Sequence, residues 1–213
     1  MEDYVICFDL DDTLYKEIDY LKSAYKEIAE SVGHPEAASQ MLEWYLGGEN
    51  AFRKLIETYG LTVSIADLLK IYREHYPDIH LDEGVKEFLV SLKEDGAQLG
   101  LISDGRSLTQ RNKIKALGLE GFFDIEIISE EFGSEKPCLK NYQAVMDKCP
   151  ERKVFVYVGD NTAKDFIAPN QLGWRTVCIK NDGGNIHRQV MSLGKEYMPH
   201  YVIASILELK CCL

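Results

Sequence analysis

The sequence predicts an α/β fold: a parallel sheet core flanked by helices, with an all-helical domain inserted after the first strand. Three observations carry this. Five short runs rich in Val and Ile, at Tyr4–Phe8, 98–102, Ile125–Ile128, 154–158 and Arg175–Ile179, are almost continuously apolar, as in strands buried on both faces. Between the later runs lie helix-period segments, so strand and helix alternate as in parallel βαβ units with right-handed crossovers. Between the first and second runs, finally, the interval far exceeds one crossover helix and carries several helical patterns.

Taken in order, the first run stops at Asp9. Residues 16–82 then hold four helical segments. Ile18, Leu21, Tyr25, Ile28 and Val32 form one apolar stripe, and Ile65, Leu68, Leu69, Tyr72 and Tyr76 form another. Between them come Ala37–Leu46 and Ala51–Tyr59, punctuated by Gly33-His34-Pro35 and Gly47-Gly48. This stretch is expected to fold as a small bundle beside the sheet. The core then resumes: a helix over 83–95 with Val85, Phe88, Leu89 and Leu92 inward ends at Gly96. Segment 108–117 stops at Gly118, and 139–149 stops at Pro150. The predicted organisation is therefore an α/β core domain of residues 1–15 and 83–213 and a helical domain of residues 16–82.

The 213 residues carry 24 Lys and Arg against 35 Asp and Glu, a formal charge of −11. Seven basic and 12 acidic residues of these lie in 16–82, so the excess is spread over the chain. An anionic surface disfavours nucleic acid and anionic membrane as partners. No apolar run approaches the roughly 18 residues of a membrane span, and no basic segment opens the chain as in a secretory signal. The six cysteines show no metal-like or CxxC spacing, and Cys7 and Cys178, inside apolar runs, read as small core residues. A cytoplasmic protein, monomer or homodimer, is expected.

In an open parallel sheet, ligands bind beyond the carboxyl ends of the strands. Those ends carry Asp9-Leu10-Asp11-Asp12-Thr13, then Ser103-Asp104-Gly105-Arg106, then Glu135-Lys136-Pro137, then Gly159-Asp160 with Asp165. Carboxylates crowded at one edge repel each other unless a cation sits among them, so a hard divalent ion, Mg²⁺, is implied. A lone Asp after a strand is often a helix cap, and Asp12 fits that role as well.

With these four segments in this order, the sequence resembles the haloacid dehalogenase (HAD) superfamily of hydrolases, and 103–119, with Gln110, Lys113 and Leu117-Gly118-Leu119, resembles the segment after its second motif. The resemblance implies a Rossmann-like core with residues 16–82 in the place of the family's cap. It implies a Mg²⁺-dependent phosphatase acting on a small phosphorylated metabolite, such as a sugar phosphate, nucleotide or phosphoglycolate, through an aspartyl-phosphate. Asp9 would be the nucleophile and Asp11 the general acid, then base. Asp9, Asp160 and Asp11 through its backbone carbonyl would hold the metal, with Asp165 orienting its waters or Lys136. Ser103, Lys136 and the amides around Asp104 and Gly105 would hold the phosphoryl oxygens. Alternatives that share this frame are a phosphomutase, a 2-haloacid dehalogenase and a non-catalytic binding protein. Dehalogenation needs no acid for a halide, so Asp11 counts against it. The nucleophile and metal ligands are all present, which counts against a retired fold. Arg106 either reaches substrate or stays solvated. The five histidines show no ligand spacing and are expected in loops or at the surface. Seven of the twelve tyrosines lie between Tyr15 and Tyr76, as bundle core or cleft wall.

Overall fold

The computed structural model describes all 213 residues. Six parallel strands form one sheet in the order β3-β2-β1-β4-β5-β6. These are β1 (Tyr4–Phe8), β2 (Gln98–Ser103), β3 (Ile125–Ile128), β4 (Val154–Gly159), β5 (Arg175–Ile179) and β6 (Tyr201–Ile203). The five expected strands are all present. β6 is the addition, a three-residue edge strand pairing Tyr201 with Val177 and Ile203 with Ile179. Its Tyr201 and Val202 are exposed, so it lacks the long apolar run of a central strand.

Alternate residues of each strand enter opposite layers. Ile6, Phe8, Leu99, Leu101, Val156 and Val158 join one apolar cluster, and Val5, Cys7, Ile102, Tyr157 and Cys178 join the other. Both faces of the sheet are thus covered, and Cys7 and Cys178 are core residues as read. Gly100 is required by close packing, because a Cβ there would meet Cys7 Sγ at 2.6 Å.

Helices α1 (Glu17–Ser31), α2 (Ala37–Leu46), α3 (Ala51–Tyr59) and α4 (Ile65–Glu74) fill the interval after β1. Local chemistry sets their ends. Asn50 caps α3 by accepting from Arg53 N, and Ser64 with Asp67 forms a capping box on α4. Their inward faces share one apolar cluster, including Leu21, Tyr25, Ile28, Met41, Leu55 and Leu68. Each fully buried Leu there contributes about 1.5–3 kcal/mol. Helix α1 also serves the sheet, because Tyr20 enters the cluster over β1.

The remaining helices are α5 (Val85–Glu94), α6 (Ser107–Ala116), α7 (Ser129–Phe132), α8 (Leu139–Lys148) and α9 (Ile167–Gln171), with 3₁₀ turns at Lys195–Tyr197 and Ile206–Cys212. No helix is long and apolar enough to cross a membrane. One histidine departs from expectation: His75 is buried, its Nδ1 bonded to Tyr72 O at 2.9 Å and its ring against Tyr20. It closes the seam between α4 and α1, a long-range contact that residue spacing does not reveal.

Candidate active site

The strand order reverses about β1, so its carboxyl end and that of β4 flank a crevice. Asp9 N donates to Val158 O at 2.9 Å, which continues the β1–β4 ladder and sets Asp9 beside Gly159-Asp160. Gly159 must be glycine, because a Cβ would meet Asp165 Oδ2 at 2.5 Å. That close approach lets the Asp165 carboxylate accept from the backbone N–H of Asp160 (3.2 Å) and of Asn161 (2.8 Å).

Lys136 lies at the centre. Its wholly buried ammonium is 2.8 Å from Asp9 Oδ1 and 2.9 Å from Asp165 Oδ1, and it donates to Tyr157 Oη at 3.0 Å. Asp9, Asp160 and Asp165 each place a carboxylate oxygen within 4.8 Å of the others. Burial pushes the Asp9 carboxyl up to about 7, although Lys136 pulls it back. Burial, then the charges of Asp165 and Asp9, push Asp160 up to about 9.

Three buried carboxylates against one ammonium are short of positive charge, and a hard cation fits that deficit. Asp165 is already saturated by two amides and Lys136. Asp9 Oδ1 is engaged by Lys136 and Leu10 N, and Asp160 Oδ2 by Asn185 Nδ2. The second oxygens of Asp9 and Asp160 have no protein partner, so this pair fits a divalent oxygen-seeking ion. The carboxylate of Asp11 is not part of that cluster.

Asp11 turns the other way. Its Oδ1 accepts from Lys113 Nζ at 2.7 Å and from Tyr15 Oη, and its Oδ2 accepts from Gln110 Nε2 at 3.0 Å. Burial alone would raise this carboxyl, but Lys113, Tyr15 and Gln110 override it and hold it below the usual carboxylate range. Gln110 Nε2 also donates to Ser103 Oγ at 2.6 Å. Ser103 is thus tied to Asp11 through one amide. Asp104 accepts from Lys136 N and from Lys164 Nζ, each within 3.0 Å.

Gly105 corrects an expectation. Its amide donates to Ser129 Oγ at 2.9 Å, and the residue lines a neighbouring cavity together with Arg106. Arg106 is exposed and faces Glu130. Asp12 serves as the cap suggested for it, its Oδ1 accepting from Glu17 N at the start of α1 and its Oδ2 from Ile186 N.

A cavity of about 90 Å³ opens over Asp9, Asp11 and Asp160, and every residue lining it is polar. Gln110 and Lys113, marked in the sequence by the resemblance of 103–119, lie three residues apart on one face of α6. Other contributors had no signal in the sequence. Glu17 and Lys164 are ordinary charged residues until folding places them at the rim. Asn185 and His187 lie in the loop after β5, which folds back over the strand tips: Gln189 Nε2 donates to Asp160 O and Ile179 O, and Lys16 Nζ to Asn185 Oδ1. No local pattern marks such a return.

The profile of haloacid dehalogenase-like hydrolases matches residues 6–179. The chain is 30% identical over 194 residues to a glyceraldehyde 3-phosphate phosphatase of Methanocaldococcus jannaschii, covering 82% of this chain and 83% of that one. It is also 30% identical over 203 residues to the glyceraldehyde 3-phosphate phosphatase of Methanopyrus kandleri, with the same coverage of 82% and 83%. Among solved structures, the HAD-hydrolase YfnB of Bacillus subtilis bound to magnesium superposes with a TM-score of 0.73 at 21% identity, covering 99% of this chain and 98% of that one. The chain belongs to the haloacid dehalogenase-like hydrolase family. Within it, the chain is a phosphatase-type member, a phosphoric monoester hydrolase.

Proposed function

We propose that this phosphatase hydrolyses the monoester of a small sugar phosphate by covalent catalysis at Asp9, with residues 16–82 acting as a cap over the crevice. The observation that carries this is the Lys136 ammonium bridging Asp9 and Asp165 beside Asp160, in a polar cavity at the sheet's switch point. The relatives named for glyceraldehyde 3-phosphate support a small phosphorylated substrate.

Asp9 attacks phosphorus as a carboxylate, forming the aspartyl-phosphate as the ester P–O bond breaks. Asp11, ionised in the free protein, relays the proton of the monoanionic phosphate ester to the departing alkoxide. A water then attacks the same phosphorus while Asp11 takes its proton, and the P–O bond to Asp9 breaks to release inorganic phosphate. Lys136, held at fixed distance by Asp165, offsets charge on the phosphoryl oxygens without having to reorganise. Ser103 donates its hydroxyl proton, its lone pair being held by Gln110. Asp9, Asp160 and the Asp11 backbone carbonyl would hold Mg²⁺, which supplies positive charge to the phosphoryl group when bound.

The test is hydrolysis of p-nitrophenyl phosphate and of a panel of sugar phosphates, with Mg²⁺ and with EDTA, for the protein and for Asp9→Asn. Turnover is expected with Mg²⁺, lost with EDTA, and lost in Asp9→Asn while the circular dichroism spectrum is retained. Undiminished turnover in Asp9→Asn overturns the nucleophile assignment.

A further inference from the structure

The strand tips supply the phosphoryl end of the cavity. Two lining residues come from elsewhere: Glu17, the first residue of α1, and His187, in the loop after β5. Their side chains approach to 3.9 Å between Oε2 and Nε2, close enough for one hydroxyl to bond both. We infer that Glu17 and His187 form the leaving-group end of the site and select an uncharged, hydroxyl-bearing leaving group over one carrying a second anion. This rests on the phosphatase reading above and adds a substrate rule to it.

The chemistry of the wall argues for hydroxyls. A carboxylate and an imidazole together accept and donate, as a hydroxyl or a carbonyl beside a hydroxyl requires. No apolar side chain and no Phe, Tyr or Trp lines this cavity, so it offers a base no apolar stacking platform beyond the His187 imidazole. The tyrosine-rich wall of the helical bundle, with Tyr25, Tyr45 and Phe52, encloses a separate cavity of about 240 Å³.

The charge balance argues against a second anion. Lys164 is the one lysine or arginine on the cavity wall, and its ammonium is already paired with Asp104 at 2.9 Å. Arg106 lies in the neighbouring cavity. Glu17 itself shares the cavity wall with Asp9, Asp11 and Asp12. A carboxylate or second phosphate on the leaving group would enter the same unfavourable field.

The experiment compares kcat/KM for glycerol 3-phosphate and ribose 5-phosphate with that for phosphoglycolate and fructose 1,6-bisphosphate. The neutral leaving groups are expected to be favoured by about 30-fold, the size of an uncompensated like-charge contact. Glu17→Lys should move that ratio toward the anionic substrates by about 10-fold. His187 is mostly exposed, so His187→Ala folds, and it should raise KM for ribose 5-phosphate by about 5-fold for one lost hydrogen bond. Equal use of phosphoglycolate and glycerol 3-phosphate by the unaltered protein overturns the inference. So does a nucleoside monophosphate outperforming both sugar esters, or unchanged constants in both variants. If p-nitrophenyl phosphate and every ester resist hydrolysis, the phosphatase reading fails and the inference falls with it.

Discussion

Lys113 Nζ lies 2.7 Å from Asp11 Oδ1 and 4.3 Å from the centre of the Tyr20 ring. One buried ammonium therefore joins the proposed acid–base carboxylate to a tyrosine of α1, and Tyr20 Oη in turn donates to Tyr72 O in α4. Helix α6 strengthens that link, because Thr109 Oγ1 donates to Arg73 O and Asn112 Nδ2 to Glu74 O and His75 O. The orientation of Asp11 is thus mechanically connected to the position of the helical bundle.

Lys113→Met should release Asp11 from this orientation. Because a general acid matters most when the leaving group is a poor one, turnover of an alkyl phosphate should fall by about 100-fold and that of p-nitrophenyl phosphate by only a few-fold. Steady-state rates on glycerol 3-phosphate and p-nitrophenyl phosphate check this, and equal losses on both would count against a role exercised through Asp11.

Asn185→Ala removes the amide that donates to Asp160 Oδ2 at 2.9 Å and the acceptor that holds Lys16 Nζ. A hydrogen bond to a metal-binding carboxylate fixes its orientation, and losing one typically weakens metal affinity by about 10–100-fold. The Mg²⁺ concentration giving half-maximal phosphatase activity should rise by that factor, with the rate at saturating Mg²⁺ largely restored. A magnesium titration of both proteins decides it; an unchanged half-point would show that the loop does not support the metal site.

His75 gives a pH-dependent stability term. Burial lowers its pKa below the ordinary value of 6.5, outweighing the Tyr72 carbonyl and Glu27. The folded state then resists a proton that the unfolded chain accepts, so below about pH 6.5 the unfolded state binds more protons and stability falls with falling pH. Denaturant unfolding of the protein and of His75→Gln at about pH 7.5 and pH 5.5 should show the unaltered protein losing more stability than the variant. Parallel losses would refute the assignment to His75.

The residues proposed to handle phosphate were legible because they sit directly after apolar strand runs. Once 4–8 and 154–158 are read as buried parallel strands, Asp9 and Asp160 must emerge at the same edge, whatever the helices do. Lys136 required more, since only its place in the third of four ordered segments marked it. The first and last helices of 16–82 were legible from their apolar stripes, and α2 and α3 begin and end where the segments read between the Gly and Pro breaks do. β6 was hidden by its brevity, and His75 and Gly105 were misplaced because their surroundings come from distant residues.

What the sequence by itself determined is the order of strands and helices and the arrival of Asp9, Ser103, Lys136 and Asp160 at the carboxyl edge of the sheet, since period and burial are local properties of a chain. Tertiary structure alone decided the partners. It took Asp11 to Lys113 and Gln110, pointed the Gly105 amide at Ser129, and brought Asn185 and His187 back over the site from a loop after the fifth strand. Side-chain pairing depends on distances between segments up to 174 residues apart, as between Asp12 and Ile186, and those distances exist only once the sheet has closed its two faces.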